Sequence, residues 1–282
     1  MKITLAKHTG FCFGVRKAIE KAYQTLKEHK RKKSVFMLGE IVHNEKVINE
    51  LKKEGLELVS SLKEVPSHSI LILKAHGTEK EIYEESQGKD IKLIDATCPM
   101  VKEIHRKALY LEKKGHKIVI FGDKNHAEIK ALISYLKDFI VIEKKKELKD
   151  KELSGKIALL LQSTQSLEES LEILKILKKT NPQTLFINTI CPDAQARQKE
   201  VIKLSKNNDK VIVVGSKKSA NTRRLYKLSK KYNKNTYWLN RAESIKKNNF
   251  GKEDRIAIIS GASTPKETVE KIIKRLKKLY SE

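Results

Sequence analysis

The 282-residue chain runs through one order of elements three times, and that repeat leaves few folds open. Each pass holds one of the three cysteines: Cys98 follows Cys12 by 86 residues, Cys191 follows Cys98 by 93, and 91 more follow Cys191. Each cysteine ends a strand-like run: KITLAKHTGFC (2–12), DIKLIDATC (90–98) and QTLFINTIC (183–191). A helix-like run opens at the next residue: FGVRKAIEKAY, PMVKEIHRKAL and PDAQARQKEVI. Pro99 and Pro192 suit a first helical turn, where no backbone N–H is needed. An apolar strand ending in Gly lies 24 to 27 residues beyond each cysteine: SVFMLG (34–39), KIVIFG (117–122) and KVIVVG (210–215). A second helix follows, then a short strand: LELV (56–59), FIVI (139–142) or TYWL (236–239). A third apolar strand ends in small polar residues, SILILKAHG (69–77), KIALLLQST (156–164) or RIAIISGAS (255–263), and a third helix closes each pass.

Continuous apolar strands alternating with helices define an α/β protein whose sheets are covered on both faces. The expected architecture is three α/β domains with small, mostly parallel sheets, at residues 1–97, 98–190 and 191–282. The last helix, ETVEKIIKRLKKLY, has no strand after it, and the strand at 2–6 has no helix before it. The simplest closure lets the N-terminal strand complete the third domain, giving a pseudo-threefold ring. KKKELKDKEL (144–153) reads as a charged loop or short helix.

Composition narrows the class further. With 39% hydrophobic and 34% charged residues, the chain is neither disordered nor fibrous. No apolar run approaches the roughly 20 residues of a membrane span. Lys7 and His8 interrupt the start where an export signal needs an apolar stretch. Three cysteines are too few for a disulfide framework, so a cytoplasmic protein is expected. The net charge of +25 raises a nucleic-acid partner as one reading. Against it, the basic residues are 51 Lys and only 9 Arg, and aromatics make up 6%. Arg is the residue that grips phosphate bidentately, and stacking needs aromatic platforms, so a lysine-rich solvated surface explains the charge better.

Ligands of open α/β sheets bind beyond the carboxyl ends of the strands, where this chain keeps its cysteines and nearly all its distinctive polar residues. One buried cysteine is usually a small hydrophobe. Three at equivalent places of a repeat, each at a helix start that favours thiolate, point to a shared ligand. Zinc would need a fourth Cys or His. A cubane iron–sulfur cluster held by three Cys would leave one iron open as a Lewis acid. The absence of any Cys-x-x-Cys pair weakens ferredoxin-type and zinc-ribbon readings. His43, His76 and His126 lie in strand-end loops, whereas His8, His29, His68, His105 and His116 read as structural or surface residues. With Ser219, Asn221 and Ser263 beside glycines, the three loop histidines read as a polyanion pocket of diphosphate size, although small polar residues beside Gly are also ordinary turn chemistry. Glu128, two residues beyond His126, is either a solvated acid at a helix start or a proton donor.

The stretches GFCFGVRKAIE (10–20), GEIVHN (39–44), AHG (75–77), DATCP (95–99), HAE (126–128), QST (162–164), NTIC with RQ (188–198), VVGSKKSANTRRL (213–225) and SGASTP (260–265) resemble the LytB/IspH family of 4-hydroxy-3-methylbut-2-enyl diphosphate reductases, in order through the whole chain. The resemblance implies three α/β domains around one central 4Fe–4S cluster held by Cys12, Cys98 and Cys191, with one open iron site for the substrate hydroxyl. It implies an oxidoreductase of isoprenoid biosynthesis, which removes an allylic hydroxyl as water with two electrons and two protons. The products would be isopentenyl and dimethylallyl diphosphates. His43, His76, His126, Ser219, Asn221 and Ser263 would bind the diphosphate, Glu128 would deliver the proton, and Ser163 would sit near the substrate oxygen. An acidic ferredoxin or flavodoxin would supply electrons. Several positions depart from the family pattern. Ala194 and Gln195 replace the usual Ala-Thr, Ala127 and Ala131 replace Pro and Gly, and Ala220 replaces a Ser, leaving only a backbone N–H there. The rival readings are a basic nucleic-acid-binding protein and a non-catalytic diphosphate binder on the same fold.

Overall fold

Uninterrupted Ile, Leu and Val runs make strands because branched side chains fill both faces of a pleated surface. The computed structural model describes residues 1–29, 33–148 and 153–280, and among these residues it has twelve strands in three four-stranded sheets. One sheet has the order β3 (Leu56–Val59), β2 (Val35–Leu38), β4 (Ile70–Leu73), β5 (Lys92–Asp95). A second repeats it with β7 (Phe139–Ile142), β6 (Lys117–Phe121), β8 (Ile157–Leu161), β9 (Leu185–Ile187). The third repeats it with β11 (Thr236–Leu239), β10 (Lys210–Val214), β12 (Arg255–Ser260), β1 (Lys2–Leu5). Every pairing is parallel, so the expected mostly parallel sheets are wholly parallel among the described residues.

In all three sheets the edge strand next to the most buried one leads to a cysteine: β5 to Cys98, β9 to Cys191 and β1 to Cys12. The N-terminal strand lies in the sheet of the C-terminal residues, with Lys2 opposite Arg255 and Leu5 opposite Ile258. The chain divides into two compact units, Met1–Phe13 with Pro192–Glu282, and Gly14–Cys191.

Burial follows position in the sheet. All of β4 and β8 is buried, whereas the edge strands β1, β5 and β9 are half-buried or exposed. Hiding each central Leu or Ile stabilises the fold by about 1.5–3 kcal/mol. The cysteine-bearing edges contribute less, and their sequences are free to serve a site. Each cysteine precedes a long helix, α1 (Phe13–His29), α4 (Pro99–Lys113) or α7 (Pro192–Asn207). The remaining helices are α2 (Glu45–Lys53), α3 (Lys80–Gly88), α5 (Ala127–Ile133), α6 (Leu167–Thr180), α8 (Ala220–Tyr232) and α9 (Lys266–Tyr280). Gly39 and Gly77 take φ values of 73° and 90°, left-handed turns that release the chain sharply after β2 and β4. Short 3-10 turns follow β3, β7 and β11, and the one at Lys145–Leu148 occupies the described part of the charged 144–153 segment, whose residues 149–152 lie outside the described ones. Among the described residues no helix is long and apolar enough to cross a membrane.

His105 on α4 is a packing residue, as its place in the sequence implied. Its ring meets Tyr135 edge-on at 5.4 Å, its Nε2 has no partner, and the Tyr135 hydroxyl donates to Thr78 O at 3.1 Å. Burial lowers its pKa to about 4. The fold holds this group neutral, so its stabilising effect is complete above the ordinary value near 6.5 and is lost as pH falls toward about 4. Between pH 7 and pH 4.5 the urea midpoint of the wild type should fall by more than that of His105→Phe. Equal falls would remove His105 as a source of acid sensitivity.

Candidate active site

The turns after β2 and β4 and the N-terminus of α5 bring His43, His76 and His126 together. Ring centroids lie 4.7 Å (His43–His76), 5.4 Å (His76–His126) and 6.0 Å (His43–His126) apart. His76 Nδ1 is buried without a partner, and its pKa is held well below 6.5 by burial first, then by His43, His126 and Lys74. His43 Nδ1 sits 3.4 Å from Glu40 Oε2. His126 caps α5, and its Nδ1 accepts the Glu128 N–H at 3.2 Å.

That last bond distinguishes the two ligands a histidine trio can hold. One nitrogen from each ring falls within 4.8 Å of the others, a spacing that also suits a metal ion. A neutral imidazole has one donor and one acceptor nitrogen. With Nδ1 of His126 accepting, its Nε2 carries the proton, whereas an Nε2-bound metal would need the opposite tautomer. His126 therefore presents a donor to the cluster, which suits an anion.

Glu128, two residues beyond His126, is buried, 3% exposed, which overturns the reading of a solvated acid at a helix start. Its Oε1 accepts the Ser163 N–H and its Oε2 the Ser163 hydroxyl, both at 2.7 Å. Burial raises the Glu128 pKa, and the two Ser163 bonds oppose the rise. Gln162 Oε1 accepts the Asp123 N–H at 2.9 Å, bracing the loop that leads to His126, while its buried Nε2 has no partner.

One hydrogen bond recurs in all three sheets. The cysteine N–H donates to a carbonyl in the loop after the adjacent strand: Cys98 to Ala75 O at 3.0 Å, Cys191 to Ser163 O at 2.9 Å and Cys12 to Ala262 O at 3.1 Å. Each cysteine is thereby tied to a segment carrying another candidate residue: His76, Ser163 or Ser263. The thiols are half-buried. For Cys98 the expected acidification by the helix start does not prevail. Burial is the largest influence and pushes its pKa up, the Met100 and Val101 N–H groups pull it down, and the charges of Cys191 and Glu128 push it up again. Gly14, in the first turn of α1, is pressed against this sulfur: a Cβ there would lie 2.4 Å from Cys98 Sγ. Gly14 belongs to GFCFGVRKAIE, a motif whose candidate residue in the sequence was Cys12 alone.

The unit that contains Cys12 has its own polar set. Ser219 caps α8 by accepting the Thr222 N–H at 3.3 Å, and Ala220 is the first helical residue. Asn221 is 6% exposed and neither Oδ1 nor Nδ2 has a partner. Ser263 is buried, as is Thr222, whose hydroxyl is also without a partner. A Cβ on Gly261 would lie 2.0 Å from the Thr222 hydroxyl. Buried amide atoms without partners are costly and mark a place that a ligand satisfies. Cys12, Ser219, Ala220, Asn221 and Ser263 thus belong to one compact unit, and the three histidines, Glu128, Ser163, Cys98 and Cys191 to the other. Of the remaining histidines, His68 is exposed beside Asp90, His116 contacts Leu111 O, and His8 and His29 lie near Glu200 and Glu28.

Small parallel sheets in a common strand order, with cysteines, histidines and a buried acid at their carboxyl ends, define a class of α/β proteins with polar strand-end sites. The chain belongs to the LytB protein family, which it matches over residues 3–277. It is 39% identical over 282 residues to a 4-hydroxy-3-methylbut-2-enyl diphosphate reductase of Dictyoglomus thermophilum, covering 99% of this chain and 98% of the relative. It is 36% identical over 285 residues to one of Caldanaerobacter subterraneus, covering 100% and 99%. The solved structure of the E-1-hydroxy-2-methyl-but-2-enyl-4-diphosphate reductase from Plasmodium falciparum superposes with a TM-score of 0.93 at 30% identity, over 98% of this chain and 88% of that one.

Proposed function

We propose that this protein is a reductase that removes the allylic hydroxyl of 4-hydroxy-3-methylbut-2-enyl diphosphate, giving isopentenyl and dimethylallyl diphosphates at the end of the non-mevalonate route. The observation that carries the reading is the pairing, in one compact unit, of a buried carboxyl beside Ser163 with three clustered histidines, of which His126 presents its Nε2–H. Full-length identity to reductases of that name supports it.

Cys12, Cys98 and Cys191 would hold one 4Fe–4S cluster. The donor set fits: thiolates are the ligands such clusters take, and the three cysteines make the same backbone bond at the ends of the three sheets. Gly14 keeps the space against Cys98 Sγ clear. When bound, the cluster supplies low-potential electrons and a Lewis-acidic iron. The protein's own groups do the rest. The Nε2–H of His126, with His43 and His76, binds the diphosphate. Ser219, Asn221, Ser263 and the Ala220 N–H are read as further donors to it. Binding energy at this remote end orients the reacting carbon. Glu128, its pKa raised by burial, holds a proton on its carboxyl for the departing hydroxyl, and the Ser163 hydroxyl fixes which oxygen presents it. Anaerobically purified protein should be brown, contain iron and sulfide in equal amounts, give a cubane Mössbauer signature and consume the diphosphate with a reducing dye. Iron-free protein that still turns over, or cluster-loaded protein that does not, would overturn the reading.

The three sheets support domains at 1–97, 98–190 and 191–282, with β1 lent to the third. Soft thiol ligands suit a reducing cytoplasm. At Ala220, the first residue of α8, a restored hydroxyl should tighten diphosphate binding: Ala220→Ser should gain about 0.5–1.5 kcal/mol in calorimetry, one hydrogen bond's net value. Weaker binding would show that this loop lies differently around the ligand. The electron donor is read as an acidic ferredoxin or flavodoxin, drawn by the charge of +25. Turnover with such a donor should fall steeply from 0.01 to 0.1 M salt, as the Debye length shrinks from about 30 to about 10 Å. Turnover with a small neutral reductant should barely change. Equal salt dependence would deny the charge that role.

A further inference from the structure

Arg197 is the largest fully buried side chain of the described residues; the motif that contains it, RQ at 197–198, came with no role for it, and the proposed chemistry does not use it. It lies on α7, which opens one residue after Cys191. Its guanidinium satisfies its five donors on five acceptors. Nε donates to Asp193 Oδ2 at 2.7 Å, Nη1 to His8 O at 2.7 Å and Ser260 O at 3.0 Å, and Nη2 to Gly10 O at 2.9 Å and Asp193 Oδ1 at 3.4 Å. One turn further along α7, the Glu200 carboxylate accepts the backbone N–H groups of Lys7 (2.6 Å) and His8 (3.0 Å). Gly10 N–H in turn donates to Ser260 Oγ at 2.9 Å.

Two side chains of one helix therefore hold the irregular segment Lys7–Gly10 by two of its N–H groups and two of its carbonyls. That segment runs directly into Cys12. Arg197 also holds Ser260, two residues before Ala262, whose carbonyl accepts the Cys12 N–H. Both backbones that meet in the Cys12–Ala262 bond are thus pinned to the same guanidinium. A buried ion pair is seldom a gain in stability over an apolar substitute, because desolvation offsets the attraction. A planar fork aimed at two loop carbonyls and the end of β12 does what an apolar residue cannot: it dictates the path of a segment that has no strand or helix pairing of its own.

We propose that Arg197, backed by Glu200, is a positioning residue that sets the Cys12 thiol in its ligating orientation before any cofactor binds. The inference rests on the reading of Cys12 as a cluster ligand. Lysine has three donors and no plane, so it keeps the charge opposite Asp193 but not the simultaneous grip on His8, Gly10 and Ser260.

The test uses cluster-free full-length protein, with alkylation of each cysteine by iodoacetamide followed by peptide mass spectrometry and Cys98 as internal reference. In Arg197→Lys, Cys12 should react at least about tenfold faster relative to Cys98, the ratio expected for the loss of one charge-assisted hydrogen bond. Glu200→Ala, at a side chain 18% exposed, removes the second pair of contacts with less risk to folding and should shift the ratio the same way. In reconstituted protein the reduced cluster's electron paramagnetic resonance signal should broaden in both variants, and Glu200→Gln, which keeps one of the two acceptors, should fall between Glu200→Ala and the wild type. An unchanged Cys12:Cys98 ratio in a variant that keeps its circular dichroism would overturn the proposal, and so would equal acceleration at both cysteines, which reports general loosening. If Arg197→Lys does not fold, Glu200→Ala decides by the same ratio. Should the wild type bind no cluster, the cofactor reading fails while the alkylation ratio still decides whether α7 orders Cys12.

Discussion

Replacing Glu128 by Gln should leave cluster content and diphosphate affinity near wild type and lower turnover at least about a hundredfold, the low end of what a general acid contributes. Gln is close in volume and keeps an acceptor for the Ser163 N–H at 2.7 Å, so the loop should stay in place. What it loses is the titrating proton. Burial raises the Glu128 pKa above that of an ordinary carboxyl, so the acid form persists to higher pH than in water. Wild-type turnover should therefore fall as pH climbs through that raised pKa, and the Gln variant should show no such limb. A variant with full turnover under a reducing dye, or one with the same pH limb, would remove Glu128 from proton delivery.

The second large effect is expected at the cysteines. Cys98→Ser should lose most of its bound iron and fall to background activity. The serine hydroxyl does not ionise near neutral pH and is a poor ligand for iron. Disturbing even an outer partner of a metal ligand costs about 10–100-fold in affinity, so loss of the ligand itself should cost more. The fold should survive, because Cys98 is half-buried and its N–H bond to Ala75 O is made by the backbone. Cys12→Ser and Cys191→Ser should behave alike, given the same backbone bond to Ala262 and Ser163. Full iron content with normal turnover in any one of the three would sink its role as a ligand.

Much of this could be read from residue order alone. The run RIAIISGAS carries β12 as Arg255–Ser260, and SVFMLG carries β2 as Val35–Leu38. The strands are shorter than their motifs because the tails, such as AHG, already belong to loops that contain a left-handed glycine. The 3-10 turns at Leu62–Glu64 and Ala242–Ser244 went unread, since three residues cannot display a period. The repeat singled out the histidines, and the structure brings all three within ring contact. Partners far apart in sequence stayed hidden. Nothing in the order of residues pairs Glu128 with Ser163, 35 positions on, or Arg197 with His8, 189 positions back. Nor does spacing weigh burial against a helix dipole, which is why the direction expected for the Cys98 thiol was the wrong one.

The pairing of β1 with β12 has a consequence for how the protein is made. Lys2 finds its neighbour only when Arg255 exists, 253 residues later. At about 5–20 residues per second on the ribosome, the segment leading to Cys12 waits on the order of tens of seconds for its sheet, longer than most small domains take to fold. Throughout that interval the nascent chain can complete the unit Gly14–Cys191, with two of the three thiols in place. The first cysteine to be synthesised is thus the last to be seated. With Cys12 read as a cluster ligand, cofactor insertion would wait for β12, and a product truncated before β12 should emerge with a folded two-thiol unit.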